Sequence, residues 1–106
     1  MQKYKIILTR RAKDDLIDIG DYITYTLLEP ETSQIFIRGL RKTIMTLKEI
    51  PKRHAFVDDP VAESQHIRCL PYKNHYIFYQ VIDVMNTVIV LRIGYNRRNW
   101  KDILIK

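Results

Sequence analysis

The sequence is poor in the residues from which small proteins build disulfides, metal centres and phosphate loops. Cys69 is the only cysteine among 106 residues, which excludes an internal disulfide and a cysteine-rich metal site. Three glycines are too few for a glycine-rich phosphate-binding loop. With three histidines and scattered acidic residues, the chain is expected to use no metal and no small-molecule cofactor.

Long apolar runs and negative charge are also scarce. The apolar piece near the N-terminus is far shorter than a signal-peptide core, and no run approaches the length of a membrane span. We therefore expect a cytoplasmic protein with no membrane partner, and the length predicts a single domain over residues 1–106. The 18 Lys and Arg outnumber the 12 Asp and Glu, and this net charge of +6 favours an anionic partner such as nucleic acid or an acidic protein.

Two amphipathic helices are predicted in the first half of the chain. The first follows Thr9, whose hydroxyl is expected to cap it. Its apolar face is formed by residues at helical spacing, namely Ala12, Leu16, Ile19, Ile23 and Leu27. The second is predicted to begin near Thr32 or Ser33, either of which offers a capping hydroxyl, and to stop at Pro51. A short linker predicts that the two helices form an antiparallel hairpin.

The second half predicts strands. Three apolar, β-branched and aromatic runs bounded by turn residues lie between Ile67 and Ile93, and residues 4–8 form a further strand candidate. Residues 52–65 show no periodicity and are expected to form a connection, with a brief edge segment near Phe56 and Val57. The predicted fold is α+β: an N-terminal strand, a two-helix hairpin on a small antiparallel sheet of three further strands, and a short C-terminal helix.

A cationic corner follows the last predicted strand. Arg97 and Arg98 are flanked by Tyr95 and Trp100. Guanidinium groups between aromatic rings suit phosphates and stacked bases. We therefore expect these residues, together with Arg68, to contact the target.

Metal-free cleavage of RNA by its own 2′-hydroxyl needs a base, an acid and cations over the phosphate. Arg98 and Arg97 are the candidate cations, and His75 and Tyr76 are the candidate proton carriers. The alternative is that His75 faces solvent beside a turn and that Tyr76 only packs.

Basic residues on the second predicted helix form another candidate surface. Arg41 and Lys42 are placed to contact an acidic protein or the phosphates of ribosomal RNA. The alternative is an ordinary solvated helix face.

Three sequence segments resemble the RelE/ParE superfamily of bacterial toxins, which includes proteins named for plasmid stabilisation. They are Ile67-Arg68-Cys69-Leu70-Pro71, Tyr76-Ile77-Phe78-Tyr79-Gln80-Val81 and Gly94-Tyr95-Asn96-Arg97-Arg98-Asn99-Trp100. The resemblance spans almost the whole chain, and the Arg-x-Leu-Pro and Arg-Arg-Asn-Trp segments are closer to the ParE branch.

The resemblance implies the toxin of a type II toxin–antitoxin system, held inactive by a cognate antitoxin. One branch of the superfamily cuts mRNA on the ribosome, and the ParE branch poisons DNA gyrase without catalysis. In several mRNA-cutting members an arginine occupies the position that aligns with Tyr76, and many end in a tyrosine or histidine. This chain departs from both features, since it ends Ile103-Leu104-Ile105-Lys106.

The sequence therefore predicts a growth-inhibiting toxin. It slightly favours ribosome-dependent mRNA cleavage, a metal-independent endoribonuclease activity, because the net charge and the cationic corner suit RNA. Poisoning of gyrase is the first alternative, and a non-toxic nucleic-acid-binding regulatory module is the second.

Overall fold

The computed structural model describes residues 3–95. It contains four strands and three α-helices, which are β1 (Lys5–Leu8), α1 (Arg10–Asp21), α2 (Pro30–Met45), α3 (Pro60–Ser64), β2 (Arg68–Tyr72), β3 (His75–Ile82) and β4 (Thr87–Gly94). The strands form one mixed sheet in the order β1-β4-β3-β2, with β1 parallel to β4 and the other pairs antiparallel. This confirms the predicted α+β fold, while the predicted C-terminal helix lies outside the described residues. Across residues 3–95, every helix is too short or too polar to cross a bilayer.

The Thr9 side chain starts α1 and also ties it to the sheet. Its hydroxyl oxygen accepts a hydrogen bond from the Ala12 amide at 3.1 Å, as the sequence predicted, and donates one to the Leu91 carbonyl at 2.8 Å. The helix then continues into a π-helical turn, Tyr22–Thr26. This wider turn rotates the following residues, so Leu27, predicted on the buried face, is 47% exposed.

Helix α2 begins earlier than the sequence predicted. Pro30 occupies its first turn, where a residue without an N–H is tolerated, so neither Thr32 nor Ser33 caps it. The buried Ser33 hydroxyl instead donates to the Gly20 carbonyl at 2.9 Å, which joins the two helices of the hairpin. The prediction of a hydroxyl cap was therefore wrong, because proline fits the first helical turn.

The helical hairpin covers one face of the sheet and forms the main core. Its buried members come from α1, α2, the 3-10 turn Thr46–Lys48 and the strands, and include Leu16, Leu40, Ile44, Leu47, Ile77, Tyr79, Val88, Val90 and Ile93. A smaller apolar cluster of Val57, Ala62, Ile67 and Phe78 lies on the other face. Helix α3 contributes to this second cluster and was not predicted, although Phe56 does form the expected edge bridge, with Arg68.

A bulge in β4 brings a charged side chain to α1. The register passes from Tyr79 opposite Val90 to Phe78 opposite Arg92, which leaves Leu91 as the extra residue. The Arg92 guanidinium donates two hydrogen bonds to the Asp15 carboxylate, at 2.8 and 3.0 Å. The same carboxylate accepts the Ile93 amide at 2.9 Å, so Asp15 joins α1 to β4 through three bonds.

Replacing Leu40 with alanine should destabilise the domain. Its side chain is fully buried, so we expect the free energy of unfolding to fall by about 2–5 kcal/mol. Denaturant unfolding followed by circular dichroism measures this change. Val84→Ala is the matched control because Val84 is 91% exposed, and a comparable loss in both variants would contradict the proposed packing.

Candidate functional site

Three of the residues predicted to act on the target, Arg97, Arg98 and Trp100, lie outside residues 3–95. Tyr95 is the last described residue of the cationic corner, and its side chain is 69% exposed. The other candidates are all described, and they do not come together in one site.

His75 lies on the helix-covered face of the sheet, at the start of β3. Its ring packs edge-on against Phe36 and Tyr95, with ring centroids 5.1 and 5.6 Å apart. The Nδ1 atom is buried without a hydrogen-bond partner among the described residues, and burial lowers the pKa of His75. The imidazole is therefore mainly neutral at neutral pH and is held mostly by apolar contacts.

Tyr76 lies on the opposite face of the sheet from His75. Successive side chains of a strand point to opposite faces, and Tyr76 packs against the second apolar cluster beside Phe78. The structure therefore separates the two predicted proton carriers by the thickness of the sheet. They are not placed to act on one scissile phosphate together.

An apolar groove runs beside His75. It has a volume of about 570 Å³ and is lined by Asp18, Ile19, Tyr22, Ile23, Leu27, His75 and Tyr95. The π-helical turn forms one wall of this groove, which sequence reasoning missed because the turn interrupts the 3.6-residue pattern. We refer to it as the His75 groove.

Arg68 lies at the far end of the sheet from His75, where β2 begins. Its Nη1 atom donates hydrogen bonds to the carbonyls of Lys52 and His54, at 3.2 and 2.7 Å. Its guanidinium carbon lies 4.2 Å from the centroid of the Phe56 ring. These contacts hold the guanidinium in one position beside Arg53 and His54.

Lys52, Arg53, His54 and Arg68 form what we call the cationic cluster. Burial, followed by the charges of Arg53 and Arg68, lowers the pKa of His54, and its Nε2 atom has no partner within the described part of the chain. Lys52 pairs with Asp83 at 2.6 Å, so its charge is offset, whereas Arg53 is exposed. Sequence reasoning missed this cluster because residues 52–54 have no periodicity, although a basic run after Pro51 was a usable signal.

The buried Tyr79 hydroxyl supports the turn that precedes the cationic cluster. It donates to the Pro51 carbonyl at 2.6 Å, and burial raises its pKa to about 12. The hydroxyl is thus committed to the backbone and is a poor proton donor at neutral pH. Its role is to fix the turn that carries Lys52 and Arg53.

Arg41 and Lys42 are both exposed on α2 but line different clefts. Arg41 faces a cleft beside β1, and Lys42 faces one that it shares with Arg53. Residues 3–95 contain no group of three His, Cys, Asp or Glu side chains placed to hold a metal ion.

Comparison with known proteins places the chain among toxins. The family model described as the ParE toxin of the type II toxin–antitoxin system, parDE, matches residues 6–100. No curated protein sequence matches the chain.

Three solved structures illustrate the similarity in fold. One, from a chromosomal ParDE toxin–antitoxin system of P. aeruginosa, has a TM-score of 0.72 at 20% identity and covers 87% of this chain and 95% of the other. A chain of the RelBE2 toxin–antitoxin complex of Mycobacterium tuberculosis has a TM-score of 0.66 at 17% identity, with coverage of 92% and 95%. The isolated E. coli RelE toxin has a TM-score of 0.60 at 17% identity and covers 96% of each chain.

The half-buried histidines His54 and His75 should make stability depend on pH. Because the pKa of His75 is lowered in the folded state, its contribution is full above the unfolded value of about 6.5 and is lost as the pH falls below it. His54 acts in the same direction. We expect His75→Phe to lose less stability than the wild type between about pH 7.5 and pH 5, measured by urea unfolding. An equal loss in both proteins would contradict the assignment.

Proposed function

The chain belongs to the ParE toxin family of type II toxin–antitoxin systems, and from this premise we propose that it arrests bacterial growth by poisoning DNA gyrase. In this proposal the chain binds gyrase without catalysing a reaction, and a cognate antitoxin neutralises it. The observation that carries the proposal is the family match across residues 6–100, because the resemblance of the sequence to this branch implies gyrase as the target.

The positions of the candidate proton carriers favour the same target. An RNA-cutting site needs an acid, a base and cations around one phosphate. His75 packs under the helices beside Phe36, whereas Tyr76 lies on the other face of the sheet. Inhibition by binding does not require His75 and Tyr76 to lie around one phosphate. We therefore propose gyrase as the target in preference to the mRNA cleavage that the sequence slightly favoured.

Ribosome-dependent mRNA cleavage is the second candidate, and the cationic cluster supports it. There a histidine with a lowered pKa, His54, lies beside the guanidinium groups of Arg53 and Arg68. A neutral imidazole can accept a proton while guanidiniums stabilise charge on a phosphate. In this candidate His54 replaces His75 as the base.

Controlled expression of the chain in bacteria, without an antitoxin, tests its toxicity. Growth arrest supports both candidates. Normal growth at high expression would contradict both and favour a non-toxic regulatory module. Co-expression of the protein encoded by the adjoining reading frame, the candidate antitoxin, should restore growth. We expect the purified chain to inhibit supercoiling of relaxed plasmid by gyrase and to leave cleaved DNA. Intact gyrase activity together with cut mRNA in a translating extract would instead favour the second candidate.

Replacing Arg53 and His54 with alanine separates the two candidates by mutation. If the chain cuts mRNA through the cationic cluster, we expect the double variant to lose about 100-fold or more in cleavage. If the chain instead poisons gyrase through a part of its surface outside the cationic cluster, the variant should retain toxicity. Arg10→Ala is the control, because that side chain is 90% exposed and its ion pair with Asp14 lies at the surface.

Arg98→Ala tests the sequence-based candidate that lies beyond the described residues. We expect reduced toxicity with an unchanged far-ultraviolet circular dichroism spectrum, because losing a guanidinium weakens contact with an anionic target. A soluble, folded variant with full toxicity would remove Arg98 from the candidate site.

A further inference from the structure

The negative charge of this basic chain is concentrated in one segment. Half of the 12 Asp and Glu lie between Lys13 and Arg38, and no Lys or Arg lies in that interval. They are Asp14, Asp15, Asp18, Asp21, Glu29 and Glu31. The segment folds as most of α1, the π-helical turn and the first part of α2. The helical hairpin therefore has an acidic end, and the rest of the chain carries the positive excess.

Most carboxylates at the acidic end of the hairpin lack a cationic partner. Asp15 pairs with Arg92, and Asp14 forms a surface pair with Arg10. The other four carboxylates are exposed, and none of them forms a salt bridge within residues 3–95. This negative charge is thus available to a partner, and it would repel the phosphates of a nucleic acid.

Large apolar side chains are exposed at the same end of the hairpin. Four of them lie within seven consecutive residues, and each has between 47% and 78% of its surface exposed. These four residues, which we call the hairpin tip, are Tyr22, Tyr25, Leu27 and Leu28. A single exposed apolar residue is ordinary, but a group of them bordered by charged residues marks a surface that binds another protein.

The backbone at Leu28 adds to the free-energy cost of this exposure. Its φ of 57° lies in the left-handed region, which favours glycine or asparagine. Two hydrogen bonds of 3.0 Å fix this conformation, from the Leu27 amide to the Tyr22 carbonyl and from the Glu29 amide to the Ile23 carbonyl. A leucine here gains little burial within the described residues, because its side chain is exposed. The contact that this side chain suits is therefore with another molecule.

Charge decides what kind of molecule fits the hairpin tip. A nucleic acid is repelled, and an acidic antitoxin, the kind of partner that the net charge favours, would meet like charge here. The complement of the tip is a protein surface on which apolar side chains lie among Lys and Arg. An enzyme that handles DNA carries basic surfaces of this kind along the path of the duplex.

We propose that the hairpin tip is the surface through which the chain binds gyrase, and that it docks on a basic part of that enzyme. The side chains of Tyr25 and Leu28 enter an apolar recess there, and Asp21 and Glu31 pair with the cations around it. The inference rests on the poisoning of gyrase proposed above and names the surface through which that poisoning occurs.

Leu28→Asn tests the apolar contact. Asparagine is close to leucine in size and is tolerated in the left-handed region, so we expect the thermal unfolding midpoint to stay within about 2 °C of the wild type. The concentration of the chain that inhibits supercoiling by gyrase should rise about ten-fold or more. Val84→Asn is the matched control, because Val84 is an exposed apolar residue in the turn after β3, at the far end of that strand from His75. It should leave inhibition within about two-fold.

Asp21→Asn combined with Glu31→Gln tests the charges. We expect this double variant to bind purified gyrase about ten-fold more weakly in titration calorimetry, with a shallower dependence of affinity on salt than the wild type. The matched control is Asp58→Asn combined with Glu63→Gln, which removes the same charge from exposed positions outside the hairpin. Its affinity for gyrase should stay within about two-fold of the wild type.

The remaining outcomes count against the proposal in distinguishable ways. Equal inhibition of gyrase by the wild type and both tip variants would overturn the inference and leave the proposed function intact. A wild-type chain that neither binds nor inhibits gyrase would overturn both.

Three further outcomes would give the hairpin tip to a different occupant and overturn the inference. Tip variants that lose binding to the protein encoded by the adjoining reading frame, yet still inhibit gyrase, would assign the tip to the antitoxin. Self-association of the wild type in ultracentrifugation that the tip variants lose would assign it to a second copy of the chain. A fall of more than about 5 °C in the unfolding midpoint of Leu28→Asn would assign it to residues 96–106, which are basic and apolar.

Discussion

The Asp15 carboxylate is the contact on which the arrangement of helix and sheet depends. It accepts two hydrogen bonds from the Arg92 guanidinium and one from the Ile93 amide, and the two side chains are only 12% and 27% exposed. A partly buried ion pair of this kind adds little net stability, but removing one partner would leave a charge without compensation. Its value is geometric, because it permits one register of α1 on β4 and disfavours others.

The His75 groove and the cleft beside β1 both depend on this register of α1 on β4. Two residues before Asp15, α1 presents Lys13 to a cleft beside β1, and three residues after it α1 presents Asp18 to the His75 groove. The net charge of +6 is therefore distributed unevenly, with cations beside β1 and at the start of β2, and an aspartate beside the His75 groove. A single basic protein can in this way offer surfaces of different charge to different partners.

The sequence predicted the elements well where one physical pattern dominated. Strands β2, β3 and β4 were recognisable because β-branched and aromatic runs were separated by turn residues, and Thr9 was recognisable as a cap. Prediction failed where two patterns competed, as at Pro30, where the preference of proline for the first helical turn prevailed over hydroxyl capping. Helix α3 was missed because five residues are too few to display a helical period.

The candidate site was harder to predict than the fold. His75 and Tyr76 are neighbours in sequence, yet the pleat of β3 directs them to opposite faces. The alternation of side chains along a strand was enough to predict this separation. The cationic cluster depends on Arg68 reaching back to the carbonyls of Lys52 and His54, a contact across 14–16 positions of the chain that no local pattern encodes. Tertiary contacts of this kind determine sites more often than they determine elements.

The parallel pairing of β1 with β4 has a consequence for biosynthesis. Lys5 lies opposite Thr87, so the first and last strands pair at one side of the sheet, and β4 has a neighbour on each side. Contacts between residues so far apart in sequence slow folding, because the long loop from Lys5 to Thr87 must close before this pair forms. The sheet cannot be completed until the ribosome has released β4, which ends at Gly94 of 106 residues. The nascent polypeptide consequently lacks the finished sheet until all four strands have been synthesised.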